Sequence, residues 1–186
     1  MPELPEVEVT RRGLASRLDG QQVSACVART TALRYPLPAD LGRLLAGKTL
    51  LGIDRRGKYL LFDFGDGHLL VHLGMSGSLR LAAPDQTPDR HDHLDIAFAQ
   101  EVLRLRDPRR FGAVLWIEGD PGRHPLLAHQ GMEPLSRALT ATSLARVLAA
   151  RQTAIKPALM NADIMVGVGN IYASESLHRA GIDPRT

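Results

Sequence analysis

Gly57-Lys58-Tyr59-Leu60-Leu61-Phe62-Asp63-Phe64-Gly65-Asp66-Gly67-His68-Leu69-Leu70-Val71-His72-Leu73 decides the class of fold. Two short apolar runs, near 57–64 and 67–73, are separated by Phe64-Gly65-Asp66-Gly67, where glycine and aspartate reverse a chain rather than continue it. Segments near 22–31, 49–54, 77–82, 93–98, 102–106 and 113–117 repeat the pattern, short and often alternating, which predicts a β-sandwich or small barrel. Upstream, Pro5 stands where a helix can start, Val7, Leu14 and Leu18 recur at helical spacing, and Gly20 follows, so residues 5–19 are predicted helical. Beyond Tyr35-Pro36, Pro38 to Gly47 reads as a short helix. Downstream, three prolines between Pro121 and Pro134 interrupt the chain, and the helical period then returns. Thr142 and Ser143 are placed to cap a helix running to about Arg151, a second helix starts at Lys156-Pro157, and a third runs from about Asn170 to Arg179 before Gly181 and Pro184. The expected fold is α+β: an N-terminal β-sandwich with flanking helices over residues 1–133, then a helical domain over 134–186.

Composition narrows the function. The 186 residues, 44% hydrophobic and 23% charged, can bury one core or two small ones. No apolar stretch approaches the roughly 20 residues that span a bilayer, and Glu3, Glu6 and Glu8 stand where a signal peptide needs positive charge. A soluble, cytoplasmic protein without a membrane partner is expected. One cysteine, Cys26, forms no intramolecular disulfide, which fits a reducing compartment. The 23 basic residues are 20 arginines and only Lys48, Lys58 and Lys156, an excess suited to gripping phosphate through paired hydrogen bonds. With 4% aromatic residues, serial stacking on single strands is disfavoured.

Four motifs carry chemistry. Gly167-Val168-Gly169 lacks a third glycine and a surrounding strand-helix-strand unit, so it is not a dinucleotide site; it is a sharp turn that presents amides at the start of the next helix, where a phosphate is held. His91, Asp92, His93 and Asp95 form a tempting metal cluster, with His91, His93 and Asp95 expected on one face of a strand, but surface histidines pair readily with carboxylates and no metal is expected. Asp107-Pro108-Arg109-Arg110-Phe111-Gly112 puts two guanidiniums and a ring on a tight turn, either as a wedge for a base stack or as a hairpin with Phe111 packed inward. The start, Met1-Pro2-Glu3-Leu4-Pro5-Glu6, leaves a secondary amine beside carboxylates once Met1 is removed. An α-amino group titrates near 8, so a useful fraction is unprotonated at neutral pH. Attack on a sugar C1′ gives an iminium with no N–H to lose, an electron sink for elimination at the neighbouring carbon, and Glu3 is close enough to move protons for the opening sugar.

Those motifs, with Gly57-Lys58-Tyr59-Leu60, His72-Leu73-Gly74-Met75-Ser76-Gly77, Ile155-Lys156-Pro157 and Gly167-Val168-Gly169-Asn170-Ile171-Tyr172-Ala173-Ser174-Glu175 in this order, closely resemble the formamidopyrimidine-DNA glycosylases, from the first residue to the last. Leu4 favours that branch over the related endonuclease VIII type, which usually has glycine there. The resemblance implies a bifunctional base-excision repair enzyme that flips oxidised purines such as 8-oxoguanine or formamidopyrimidines out of duplex DNA, cuts the glycosidic bond and then cleaves the strand as an AP lyase. By the same likeness, Pro2 is the Schiff-base nucleophile, Glu3 the acid/base and Lys58 the proton donor or shuttle for elimination. Met75, Arg109 and Phe111 fill the gap left by the flipped base, with Arg109 facing the orphaned cytosine. His91, Arg109, Arg151, Lys156 and Asn170 match DNA or phosphate contacts, and Lys156 through Arg179 matches a helix–two-turn–helix element. The family continues with further helices and a four-cysteine zinc finger on a β-hairpin. The expectation is therefore a C-terminally truncated chain with an incomplete helical domain and no cofactor of its own. It is expected as a monomer in the bacterial cytoplasm, associated with the nucleoid, and acting on double-stranded DNA that contains oxidised purines or abasic sites. Two alternatives stay open, a non-catalytic damaged-DNA-binding remnant and an endonuclease VIII-type glycosylase for oxidised pyrimidines; a metal-dependent hydrolase rests on His91 and His93 alone.

Overall fold

Pro5 has no amide hydrogen to lose in the first turn of a helix, and the chain is helical from Leu4 to Leu18 (α1), with Leu4, Val7, Leu14 and Leu18 all buried. This computed structural model describes residues 2–186. After α1 come β1 (Ala25–Ala28), α2 (Leu41–Leu45), β2 (Gly52–Arg56), β3 (Tyr59–Asp63), β4 (Gly67–His72), β5 (Ser78–Ala82), β6 (Asp92–Ala97), β7 (Val102–Arg106) and β8 (Ala113–Glu118). They form two four-stranded sheets, in the orders β1-β6-β7-β5 and β2-β3-β4-β8. In the β3–β4 hairpin Tyr59 opposes His72 and Asp63 opposes His68. The reversal depends on Gly65 at φ 86, a left-handed conformation that costs glycine nothing, and on its amide donating to Asp63 Oδ1 at 2.7 Å.

Alternation on the strands builds the core. Leu60, Phe62, Leu69 and Val71 of one sheet join Leu94, Ile96, Leu103 and Leu105 of the other in one buried cluster, with Val7 and Leu14 of α1 added to it. The void between the sheets is about 10 Å³ and lined only by such residues, so the sandwich is filled.

Two expectations change here. The first strand is shorter than 22–31: Gln22 makes only an isolated bridge to Thr49, and past Ala28 the chain turns, with Thr30 Oγ1 donating to Ala32 O at 3.0 Å. His91 does not share a strand face with His93 and Asp95. It precedes β6, and an irregularity between Asp92 and Leu94 breaks the alternation there.

The chain divides into two compact units: one takes in residues up to Arg55 together with Tyr59–Pro121, the other Arg56–Lys58 together with Gly122–Thr186. The second holds α3 (Pro125–Ala128), α4 (Ala141–Ala149), α5 (Ile155–Met160) and α6 (Asn170–Ala180), after a 3-10 turn at Pro121–Arg123. Its core is Ala158, Leu159, Ile164, Met165 and Leu177, with Leu144 and Leu148 partly buried against them. The cap of α4 is Thr140 rather than Thr142 or Ser143: the Ser143 amide donates to Thr140 Oγ1 at 3.0 Å and the Thr140 amide to Ser143 Oγ at 2.8 Å. A serine in the third position, where glutamate is usual, returns the bond. Gly181, at φ 66, closes α6 in the left-handed conformation.

Candidate active site and nucleic-acid interface

Glu3 is the N-cap of α1 and is fully buried. It shares a reciprocal capping box with Glu6, whose Oε2 accepts from the Glu3 amide at 2.8 Å, while Glu3 O accepts from Val7 N at 3.1 Å. The amide groups and the positive end of the helix hold its carboxylate in place. Pro2 is half-buried immediately before it. Met1 lies outside the described residues.

The sheet unit brings Met75, Arg109 and Phe111 together on two loops set backbone to backbone. A Cβ on Gly74 would lie 2.5 Å from the Phe111 carbonyl carbon and one on Gly112 would lie 2.8 Å from His72 O, so both positions need glycine for close approach. The buried carboxylate of Asp107 ties the pair: Ser76 Oγ donates to its Oδ1 at 2.8 Å and the Gly112 amide to its Oδ2 at 2.7 Å. His93 Nε2 is 3.0 Å from Asp107 O. The Arg109 amide donates to Ser76 Oγ at 3.3 Å. Above this frame Met75 and Phe111 are 43% and 45% exposed, so Phe111 does not pack inward. Arg110 adopts φ 56, and the Arg109 guanidinium carbon lies 4.7 Å from the Phe111 ring centroid.

Lys58 belongs to the helical unit, on the turn between β2 and β3. That turn is fixed by Glu133, whose carboxylate accepts from the Gly57 amide at 2.5 Å and pairs with Arg56 Nη1 at 3.3 Å; Arg56 Nη2 also donates to Gln130 O at 2.7 Å. Gly57 is left-handed at φ 56, and a Cβ there would lie a tight 3.1 Å from Cβ of Val166, which precedes the Gly167 turn. Gly167 is left-handed at φ 81 and Gly169 is the N-cap of α6, so the first amides of that helix follow a cap with no side chain, and Asn170 is exposed there. Lys156, in α5, lines a pocket of about 230 Å³ with Ser174 and His178. Arg151, exposed after α4, lines a separate pocket of about 450 Å³ with Ile155 and Ile182.

The histidine and aspartate run is taken up by other partners. Asp92 Oδ2 accepts from Arg80 Nη2 at 2.9 Å, and Asp95 accepts from Arg104 and Arg29. His91 Nε2 accepts from Arg90 Nε at 2.9 Å. Among the described residues no three His, Cys, Asp or Glu are grouped to hold a metal ion, and no helix is long and apolar enough to cross a membrane.

Comparison with known proteins places this geometry. Residues 1–114 match the family model of the formamidopyrimidine-DNA glycosylase N-terminal domain, and residues 130–186 match that family's H2TH domain. The chain belongs to the formamidopyrimidine-DNA glycosylase family. It is 60% identical over 185 residues to the formamidopyrimidine-DNA glycosylase of Thiobacillus denitrificans, covering 99% of this chain and 68% of that one. To the protein of that name from Herminiimonas arsenicoxydans it is 56% identical over 189 residues, covering 100% and 69%. Among solved structures, the Lactococcus lactis formamidopyrimidine-DNA glycosylase bound non-covalently to DNA containing an AP site superposes with a TM-score of 0.90 at 37% identity, over 99% of this chain and 72% of that one. Its complex with DNA containing a formamidopyrimidine-dG gives 0.90 and 37%, over 99% and 70%. The α+β architecture is that of the family, and the chain is a base-excision repair DNA glycosylase with AP lyase activity. The two other readings, a non-catalytic remnant and an endonuclease VIII-type enzyme, find no support in these relatives.

A formamidopyrimidine-DNA glycosylase zinc finger needs four cysteines, and the only cysteine in this sequence is Cys26. It sits in β1 against the core, its thiol pushed up to about 11 by burial and by the neighbouring Asp95 charge. These residues do not fit that metal site. Sequence reasoning missed Asp107, Ser76 and Glu133, which hold the functional loops. Their partners lie 31 and 76 residues away, at Ser76 for Asp107 and Gly57 for Glu133, so no local spacing reveals them.

Proposed function

We propose that the chain excises oxidised purines, 8-oxoguanine and formamidopyrimidines, from duplex DNA and cleaves the resulting abasic site through a Schiff base on Pro2. The observation that carries this reading is Glu3, a fully buried carboxylate fixed as the cap of α1 next to Pro2, whose nitrogen is a free secondary amine once Met1 is removed. The Pro2 nitrogen attacks C1′; the glycosidic bond breaks and its electrons leave with the base. Glu3 passes a proton to the ring oxygen as the sugar opens to the iminium. Loss of a C2′ proton then expels the 3′ phosphate, and Lys58 donates and recovers protons during elimination.

Met75, Arg109 and Phe111 fill the space the flipped nucleotide leaves, with Arg109 on the opposite cytosine, and their exposure on a locked pair of loops supports this role. His91, Arg151, Lys156 and Asn170 hold the backbone phosphates, the last at the amide-rich start of α6. The Lactococcus lactis relatives held with abasic and formamidopyrimidine DNA support the same substrates here. In this reading a sheet domain (1–133) carries the nucleophile and a helical domain (134–186) grips the duplex, as a monomer in the bacterial cytoplasm.

Incubation with an 8-oxoguanine duplex under borohydride tests it. A trapped complex whose DNA maps to residue 2 is the expected result; a cross-link on Lys58 or Lys156, or no trapping at all, overturns it.

A further inference from the structure

The arginines of the sheet unit mostly have acids. Arg104 and Arg29 pair with Asp95, Arg106 with Asp89, and Arg11, Arg12 and Arg55 with Glu8. Among the described residues Arg109 has no carboxylate at ion-pair distance; its guanidinium carbon instead lies 4.7 Å from the centroid of the Phe111 ring. Arg110, the residue between them, is left-handed at φ 56. The loop cannot slide, because the buried Asp107 carboxylate holds the Gly112 amide at 2.7 Å on one flank and Ser76 at 2.8 Å on the other.

We propose that Phe111 is a positioning residue for Arg109, so that the ring that acts as the wedge also sets which base is accepted opposite the lesion. The inference rests on the reading that Arg109 faces the orphaned base. A guanidinium only donates hydrogen bonds. Cytosine offers two adjacent acceptors on its pairing edge, whereas adenine sets one acceptor beside a donor, so a correctly aimed fork prefers cytosine. An unrestrained arginine side chain loses rotamer freedom when it binds. The ring face removes part of that cost before DNA arrives, and does so only while it remains a π surface.

The test compares affinities of the full chain for duplexes with 8-oxoguanine opposite dC and opposite dA. Phe111→Leu is expected to cut the dC-over-dA preference about two- to fivefold, the span an exposed cation–ring contact sustains, while Phe111→Tyr restores it. In an Arg109→Ala background, Phe111→Leu should change the preference no further. An equal loss on both duplexes in Phe111→Leu overturns the inference. A preference left intact by Arg109→Ala instead removes the reading beneath it, which separates the two failures. A readout without DNA stands beside these: the Arg109 Hε resonance should be shifted upfield by the ring, lose that shift in Phe111→Leu and keep it in Phe111→Tyr. An unshifted Arg109 resonance in the unaltered chain also overturns the inference.

Discussion

Arg104 on β7 grips the carboxylate of Asp95, its register partner on β6, side-on: Nε donates to Oδ1 at 2.8 Å and Nη2 to Oδ2 at 2.9 Å. Arg104 is 2% exposed, and Arg29 Nη2 adds a third bond to Asp95 at 2.6 Å. Burial pushes the Asp95 carboxyl up, but the hydrogen bonds from Arg104 and Arg29 outweigh it and hold it below its ordinary value. Removing one partner of a buried pair strands the other.

Asp95→Asn is therefore expected to destabilise the sheet unit by roughly 3 kcal/mol. Arg106→Ala, whose nearer partner Asp89 is over half exposed, should cost much less, because water screens an exposed pair. Urea titrations of both variants check the contrast, and similar losses would show that the Arg104 pair is no more than a surface bridge.

How far the sequence announces these features depends on their range. The helix 5–19 was readable because Val7, Leu14 and Leu18 lie on one face, and all three are buried within α1. The β3–β4 hairpin was readable because Gly65 and Asp63 make its turn locally. The Thr140 cap was not, since Thr142 and Ser143 are equally plausible caps until the return bond from Ser143 is seen. The candidate site divides in the same way. Pro2, Glu3 and Arg109 stand in motifs of their own, whereas Asp107 gains meaning only when β5 and β7 pair and bring Ser76 to it.

Glu8 gives a pH prediction. Hydrogen bonds from Arg11, then Arg55 and Arg12, outweigh burial and lower its carboxyl from 4.5 to about 2. A group depressed on folding contributes stability that is complete above its unfolded value and lost as pH falls toward its folded one. The contribution should vanish between about pH 4.5 and 2, and Glu8→Gln should flatten the acid limb of a stability profile over that window. An unchanged limb would mean that Glu8 is equally paired in the unfolded chain.

Glu3→Gln keeps an oxygen to cap α1 but cannot move a proton. Its melting point should stay close to that of the unaltered chain, while excision of 8-oxoguanine falls by about a hundredfold or more, the usual worth of a general acid/base. Cleavage of a pre-made abasic site should survive better, because no glycosidic bond remains to be cut. Equal loss on both substrates would assign Glu3 to a step they share.

Lys58→Arg tests whether that side chain is more than a charge. Glu133 fixes the turn through the Gly57 amide and Arg56, so a longer side chain at 58 leaves the backbone in place. Arginine keeps the charge but does not readily release and recover a proton at neutral pH. Strand cleavage and excision should fall more than DNA affinity; equal falls would make Lys58 an electrostatic contact.

α4 should be the first element to open. It has no buried residue: Leu144, Val147 and Leu148 only lean on the small cluster around Leu159 and Leu177. Nine residues are too few for a helix to persist on propensity alone, so it depends on that partial packing and on the Thr140 cap, worth about 1 kcal/mol. In the β3–β4 hairpin, by contrast, Leu60, Phe62, Leu69 and Val71 are all at most 1% exposed. Native-state hydrogen exchange should show the amides of Val147 and Leu148 exchanging on the order of a hundredfold faster than those of Leu61 and Leu70. Thr140→Ala should widen the gap by speeding only α4. If both sets exchange at one rate and respond together to Thr140→Ala, α4 opens only with the whole chain, and its exposed face conceals a stronger coupling than its burial suggests.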